Sequence, residues 1–379
     1  MEKSNSFLNF SFDLKDHEKE AIALNVLNIA FQKNFLKIYN YLLNFGSPSK
    51  ALSRFKKEKD FNIDPLKEWK KLKENKIEMI AFWEKEYPDI LKEIPYPPLS
   101  LYFKSEIFSK KQFKELFKEY PFLSIVGTRR ASEYGKKVVE KLIEELKEFN
   151  FIIVSGLAYG IDSLVHKNCL KNNLFNFAVL ASGLDKITPS ENTPLAKKIL
   201  KKGGLISEFP LKTPSLKTYF PWRNRIISGL TLGTLVIEAP EKSGSLITAR
   251  FALAQNREVF AVCGPIFNKN SSGCHQLIKN GAKLVEKGED IVEELLSIFP
   301  SLKLKTQNKN SKIKSKIEKE NLSEKEKMIY NILSENIPLD LDKILKKIHL
   351  PAPEILSLLT ELELKGLVKE NNGFYQKIN

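Results

Sequence analysis

Between Ser124 and about Val285 the chain repeats one unit: an apolar strand, a glycine-bearing turn and an amphipathic helix. The segments that carry it are SIVGTRRAS (Ser124–Ser132), FIIVSGLAYGID (Phe151–Asp162), FAVLASGLD (Phe177–Asp185), FPWRNRIISGL (Phe220–Leu230) and LVIEAPEKSGSLITARFALAQ (Leu235–Gln255). Continuous apolar strands joined by helical crossovers predict an α/β fold, a mostly parallel Rossmann-like sheet with helices on both faces. The pattern predicts strands at 124–127, 151–155, 176–181, 204–207, 234–238, 258–262 and 282–285. It predicts helices at 133–149, 161–171, 194–202, 222–229, 245–256 and 273–280. In such a sheet the turns after the strands gather on one edge, beside helix N-termini with free N–H groups. Ligands of open α/β sheets bind there, and arginines fall in these turns.

Charge supports an anionic ligand. The 379 residues hold 61 Lys and Arg against 46 Asp and Glu, a net +15. Residues 1–100 carry 17 basic and 15 acidic groups, 101–300 carry 29 and 20, and 301–379 carry 15 and 11. The excess therefore belongs mainly to the strand–turn–helix region, where an anion-binding surface requires it. Cys169, Cys263 and Cys274 lack the spacing of a metal site, so no metal is expected and reduced thiols are. No apolar run reaches membrane-spanning or signal-peptide length. A cytoplasmic protein without membrane association is the expectation.

Four regions follow from composition. Residues 1–75 repeat apolar residues at helical spacing and predict an N-terminal helical (SAM-like) domain. Residues 76–300 form the Rossmann-like domain, with Ile77–Ser105, rich in proline and aromatic residues, as an extended lead-in packed against it. Residues 301–322 hold seven lysines and two glutamates and read as a solvated linker. Residues 323–379 predict three short helices and a terminal hairpin, a winged-helix domain. With eight lysines against nine acids, that domain is not expected to read DNA.

The candidate site residues sit in the turns. Gly127, Thr128, Arg129 and Arg130 follow the first strand: the glycine admits close backbone approach to a phosphate, and the arginines suit bidentate contact or stacking. Gly156 and Gly183 mark the next two turns. In LKTYFPWRNRIISGL, Lys217, Phe220, Arg223 and Arg225 interleave cations with rings, as a single-strand platform requires, while Tyr219 or Trp222 is expected in the core. Ser243 and Ser245 stand at a helix start, where hydroxyls could take a further phosphate. Glu238 either belongs to that edge or ties down Arg223 and Arg225 in a buried ion pair. No G-x-x-x-x-G-K-[ST] loop, G-x-G-x-x-G fingerprint or Ser-His-Asp arrangement is evident, so neither cofactor nor catalytic residue is expected.

VGTRRASEYG, VSGLAYGIDSLVH, RNRIISGL, EAPEKSGSLITARFALAQNREVFAVCGPI and GCHQLIKNGAKLV closely resemble the DNA-processing protein A family, also called Smf. The resemblance spans about Ile77–Val285 in order. It implies an extended Rossmann-like domain that binds single-stranded DNA, a homodimer, and delivery of incoming DNA to the RecA recombinase during natural transformation. It implies no catalysis. Residue by residue, it places the G-[ST]-R arginine at Arg129, the basic residue and phenylalanine at Lys217 and Phe220, and the strand-end glycine at Gly183. The chain departs from the family at Tyr159, where GLARGID has arginine, at Cys263, where proline is commoner, and in residues 1–75, which lack a glycine hairpin turn. Two other classes compete. A related phosphoribohydrolase needs P-G-G-x-G-T and a catalytic glutamate, where this chain reads KSGSLITAR. A nucleotide-sensing winged-helix regulator would need a cationic recognition helix, which APEILSLLTELELK is not.

Overall fold

The computed structural model describes residues 16–31, 35–58, 62–299, 322–334, 339–348, 350–364, 367–371 and 373–377. Almost all of the expected lysine linker, 301–321, lies outside the described residues. The chain divides into two compact units, Met1–Phe299 and Pro300–Asn379.

The first unit begins with helices α1 (His17–Ala30), α2 (Phe35–Phe45), α3 (Pro48–Glu58) and α4 (Pro65–Glu74). Asp16 starts α1 by accepting from Lys19 N, and Asp64 with Pro65 behind it starts α4. Strand β1 (Glu78–Ala81), helix α5 (Asp89–Lys92), strand β2 (Ser100–Lys104) and helix α6 (Lys110–Glu119) lead into the sheet. The alternation then runs β3 (Phe122–Val126), α7 (Glu133–Lys147), β4 (Ile152–Ser155), α8 (Ile161–Lys171), β5 (Asn176–Val179), α9 (Thr193–Leu200) and β6 (Gly203–Ser207). It ends with α10 (Tyr219–Gly229), β7 (Gly233–Val236), α11 (Ser245–Ala254), β8 (Glu258–Val262), α12 (Ser272–Lys279), β9 (Lys283–Val285) and α13 (Gly288–Leu295).

All seven expected strands form, and they join in parallel. The sheet is nevertheless wider than expected, with nine strands in the order β1-β2-β6-β5-β4-β3-β7-β8-β9. The extended lead-in supplies the two extra strands, β1 antiparallel to β2 and β2 antiparallel to β6. Its prolines, which cannot donate to a ladder, lie between these short strands and hide the pattern. Strand order reverses at β3, with β4 on one side and β7 on the other, which puts a ligand crevice beyond β3.

Two apolar layers sandwich the sheet. Val126, Val154, Val179, Ile206 and Val236 pack with Leu91, Phe113 and Ile227 on one face. On the other, Leu24, Leu27, Leu42 and Leu52 of the N-terminal helices share a core with Tyr102, Ala178, Leu180 and Leu205. A buried polar knot pins that contact: Tyr102 Oη donates to Asn25 Oδ1 (2.8 Å), and Asn28 Nδ2 donates to Tyr102 Oη (3.1 Å) and Ser100 Oγ (2.9 Å).

The second unit has helices Glu324–Ile332, Leu341–Lys347 and Ala352–Leu364 and a three-stranded sheet, Leu339–Asp340, Phe374–Lys377 and Val368–Asn371 in spatial order. This is the expected winged-helix arrangement, closed around its own core of Ile329, Ile344, Ile355, Leu359 and Val368. Among the described residues no helix is long and apolar enough to cross a membrane.

Candidate nucleic-acid interface

A cavity of about 530 Å³ opens where the turns after β3, β4 and β7 meet α10 and the start of α11. Five cationic side chains line it, Arg129, Arg130, Lys217, Arg223 and Lys242, against a single carboxylate, Asp162. Gly127, Thr128, Phe220, Ser243 and Ser245 also line it. A larger cavity, about 700 Å³, lies between α1, α4 and β1, but its cations are answered by acids: Lys73 meets Glu18 at 3.2 Å and Lys110 meets Glu84 at 2.5 Å. Of these two, the sheet-edge cavity is the electrostatically unbalanced one.

Helical geometry decides which residues of the RNR segment reach the cavity. The expected helix 222–229 begins earlier, at Tyr219. With 3.6 residues per turn, Phe220, Arg223, Asn224 and Ile227 share one face, and these four line the cavity. Tyr219, Trp222 and Arg225 turn away. Tyr219 stacks on Phe209 with centroids 4.4 Å apart. Arg225 corrects the sequence reading. It is buried against Glu208 at 2.7 Å, donates to Tyr96 O at 3.0 Å and lies over the Trp222 ring, so it cannot reach a phosphate. The partner expected for the arginines, Glu238, is engaged elsewhere: it accepts from Ser132 N (2.9 Å) at the start of α7.

Arg223 is buried in the cavity wall. Its Nη1 donates to Gly156 O at 2.7 Å and to Val179 O, the carbonyl ends of β4 and β5. Burial lowers its pKa to about 10, with Asp162 opposing, so it stays charged at neutral pH. Burial raises the pKa of Asp162, while Arg223 holds it down. Asp162 sits in the first turn of α8 and accepts from Ala158 N at 3.4 Å. Gly156 is glycine because a Cβ would lie 2.6 Å from Arg223 Nη2.

Gly127 also differs from its expected reason. A Cβ there would meet the Ile161 side chain at 2.5 Å, so helix packing excludes it whether or not a phosphate approaches. Gly160, at φ +71°, brings the second turn against Thr128 O, where a Cβ would come within 2.3 Å. Gly183 is outside the cavity, donating its N–H to Thr213 O at 3.0 Å under Pro210. Ser243 and Ser245 bond one another through their hydroxyls at 2.7 Å.

Arg129 and Lys217 are exposed on the cavity rim, and Arg129 Cζ stands 5.1 Å from the centroid of the Phe220 ring. That pair combines a guanidinium for phosphate with a half-buried ring for a base. Asn224, Lys242 and Asp162 were missed as lining residues. A helix started at Tyr219 would have placed Asn224 four residues after Phe220 on one face. Lys242 carried no signal beyond its charge.

Comparison with known proteins agrees with this architecture. A family model described as DNA recombination-mediator protein A matches residues 78–296, and a DprA winged helix domain model matches 316–373. Protein Smf of Escherichia coli is 42% identical over 257 residues, 68% of this chain and 67% of that protein. DNA processing protein DprA of Bacillus subtilis is 44% identical over 225 residues, 59% of this chain and 73% of that protein. The X-ray structure of DNA processing protein A from Streptococcus pneumoniae superposes with a TM-score of 0.58 at 33% identity, covering 76% of this chain and 96% of that one. A structure of DNA processing protein A from Helicobacter pylori, described for its unique single-stranded DNA binding mode, gives 0.51 at 25% identity over 59% of this chain and 97% of that one. With a sheet, a winged-helix unit and a sequence that all match, the chain belongs to the DNA recombination-mediator protein A (DprA/Smf) family.

Proposed function

We propose that this chain is a DNA-processing protein that binds single-stranded DNA in the sheet-edge cavity and acts by binding rather than catalysis. The carrying observation is the Arg129–Phe220 pair on the rim of a cavity with five cations and one carboxylate. Arg129, Arg130 and Lys217 take phosphates, Phe220 takes a base, and Arg223 supplies fixed positive charge from the wall. The wall arginine's Nε is a buried donor without a partner among the described residues, which suits a ligand acceptor. The lone carboxylate accepts from the Ala158 turn and lies in the field of Arg223, which supports a binding site over a hydrolytic one. The Helicobacter pylori relative, described for its single-stranded DNA binding mode, supports the same reading. The family reading further proposes a cytoplasmic homodimer that protects incoming strands and loads a RecA recombinase on them during natural transformation.

A gel-shift competition tests it. Labelled oligo-dT should be displaced by unlabelled oligo-dT and poorly by duplex or mononucleotides. Arg129→Ala and Lys217→Ala should each weaken binding and flatten its log–log salt slope by roughly 0.7 per lost phosphate contact. Equal competition by mononucleotides, or unchanged slopes in both variants, would remove the proposal.

A further inference from the structure

The loop after β8 carries the two most exposed large apolar side chains among the described residues, Ile266 at 81% and Phe267 at 93%. Adjacent apolar side chains held in water are unfavourable unless something covers them in use. The loop is not slack. Asn268 N donates to Pro265 O (3.0 Å) and Ser271 N to Asn268 O (2.9 Å), closing two successive turns. Asn268 Oδ1 accepts from Asn270 N (3.0 Å), and His275 Nε2 meets Gly264 O at 2.9 Å. Ala239 N, just after β7, donates to Asn270 O at 2.7 Å. The tip thus projects from a fixed base on the cavity's edge of the sheet, one strand beyond β7.

The loop also touches the cavity turn. Asn270 Nδ2 donates to Arg130 O at 3.1 Å, joining it to the segment that holds Arg129 and Arg130. The exposed cation Arg130 lies at one end of that bond, exposed Lys269 precedes Asn270 at the other, and Phe267 stands two residues from Lys269. A ring on a rigid base, almost fully exposed and on a loop that carries exposed cations, is the arrangement that stacks bases without reading their sequence. A protein partner could also cover an apolar tip, but the cations and the tie to the phosphate turn favour a polynucleotide.

We propose that Phe267 is a second base-stacking residue, and that a strand leaving the Arg129–Phe220 cavity passes Arg130 and Lys269 to reach it. This rests on the single-strand reading of the cavity and extends its footprint along the sheet edge. The full chain is titrated with oligo-dT of about six and about twenty nucleotides, the short one filling the cavity and the long one spanning both positions. Phe267→Ala should bind the short strand as the parent does and the long strand about tenfold more weakly. Phe267→Trp should restore the long-strand affinity, and its added emission over the parent should be quenched by the long strand alone. Arg129→Ala should weaken both lengths. If Phe267→Ala binds both lengths like the parent while Arg129→Ala does not, the second stacking position is wrong and the cavity stands. If Arg129→Ala also binds normally, the cavity reading fails first. Normal DNA binding by Phe267→Ala with impaired recombinase loading would assign the tip to a protein and overturn the proposal.

Discussion

Arg225 and Glu208 meet in a two-pronged ion pair, Nη1 to Oε1 at 2.8 Å and Nη2 to Oε2 at 2.7 Å, with side chains only 1% and 6% exposed. A pair so enclosed is expensive to break from one side, because the remaining charge stays buried without its partner. Arg225→Ala should therefore lower unfolding stability by about 3–5 kcal/mol. Affinity for oligo-dT per folded molecule should stay close to that of the parent. Denaturant unfolding combined with stoichiometric oligo-dT titration of the folded fraction separates the two effects. A stable variant with weak binding would return Arg225 to the interface.

Phe220 answers oppositely. Its ring lies under Arg129 at 5.1 Å and is only half-buried. Phe220→Ala should cost about 1–3 kcal/mol of strand affinity with little change in melting temperature. Because Arg129 and Phe220 touch, the double variant should lose less than the two single losses added. Strict additivity would mean that they serve the strand separately.

His166 links acid stability to the fold. It is fully buried on α8, its Nδ1 is 2.8 Å from Asn176 Oδ1, and burial lowers its pKa from 6.5 to about 4. The unfolded chain then binds more protons than the folded one between those values, so this group's contribution is lost as pH falls through that window. Melting temperature should drop on acidification over that range. His166→Gln should show a flatter dependence whatever its absolute stability. An equally steep curve would assign the acid sensitivity elsewhere.

The winged-helix unit should add little to strand binding. Helix Ala352–Leu364 carries Glu354, Glu361 and Glu363, and its Ile355, Leu359 and Leu362 are spent on the unit's own core. Acids facing phosphates oppose binding. A chain ending at Phe299 should keep most of its oligo-dT affinity, and isolated 323–379 should not shift duplex DNA. A sequence-specific shift would contradict this.

Most of the parallel strands were legible because they are largely apolar runs buried on both faces and bounded by glycine turns, whereas β9 is exposed at Lys283 and Leu284. Helix α8 was read residue for residue, Ile161 to Lys171. Strands β1 and β2 were hidden by the prolines between them, and hydrogen bonding of β2 to β6 and of β1 to β2, rather than local preference, makes them strands. At the site, composition identified the cationic turns but could not rank the arginines. Arg223 and Arg225 stand two residues apart in one motif, and the roughly half a turn of helix between them sends them to opposite sides. Glu208, the acid that captures Arg225, is 17 residues away just past the end of β6, and no local pattern connects them.

The knot of Asn25, Asn28, Ser100 and Tyr102 has a mechanical consequence. Its hydrogen bonds cross from α1 to β2, and the leucines around it belong to helices and sheet alike. The helices therefore behave as upholstery fixed to the frame rather than as a hinged attachment. Cutting the chain just before Ile77 would remove the N-terminal helices from one face of the sheet, uncovering apolar side chains such as Met79 and leaving the Tyr102 hydroxyl without either asparagine. Such a fragment would aggregate on synthesis, and its failure to bind DNA would say nothing about where the strand lies.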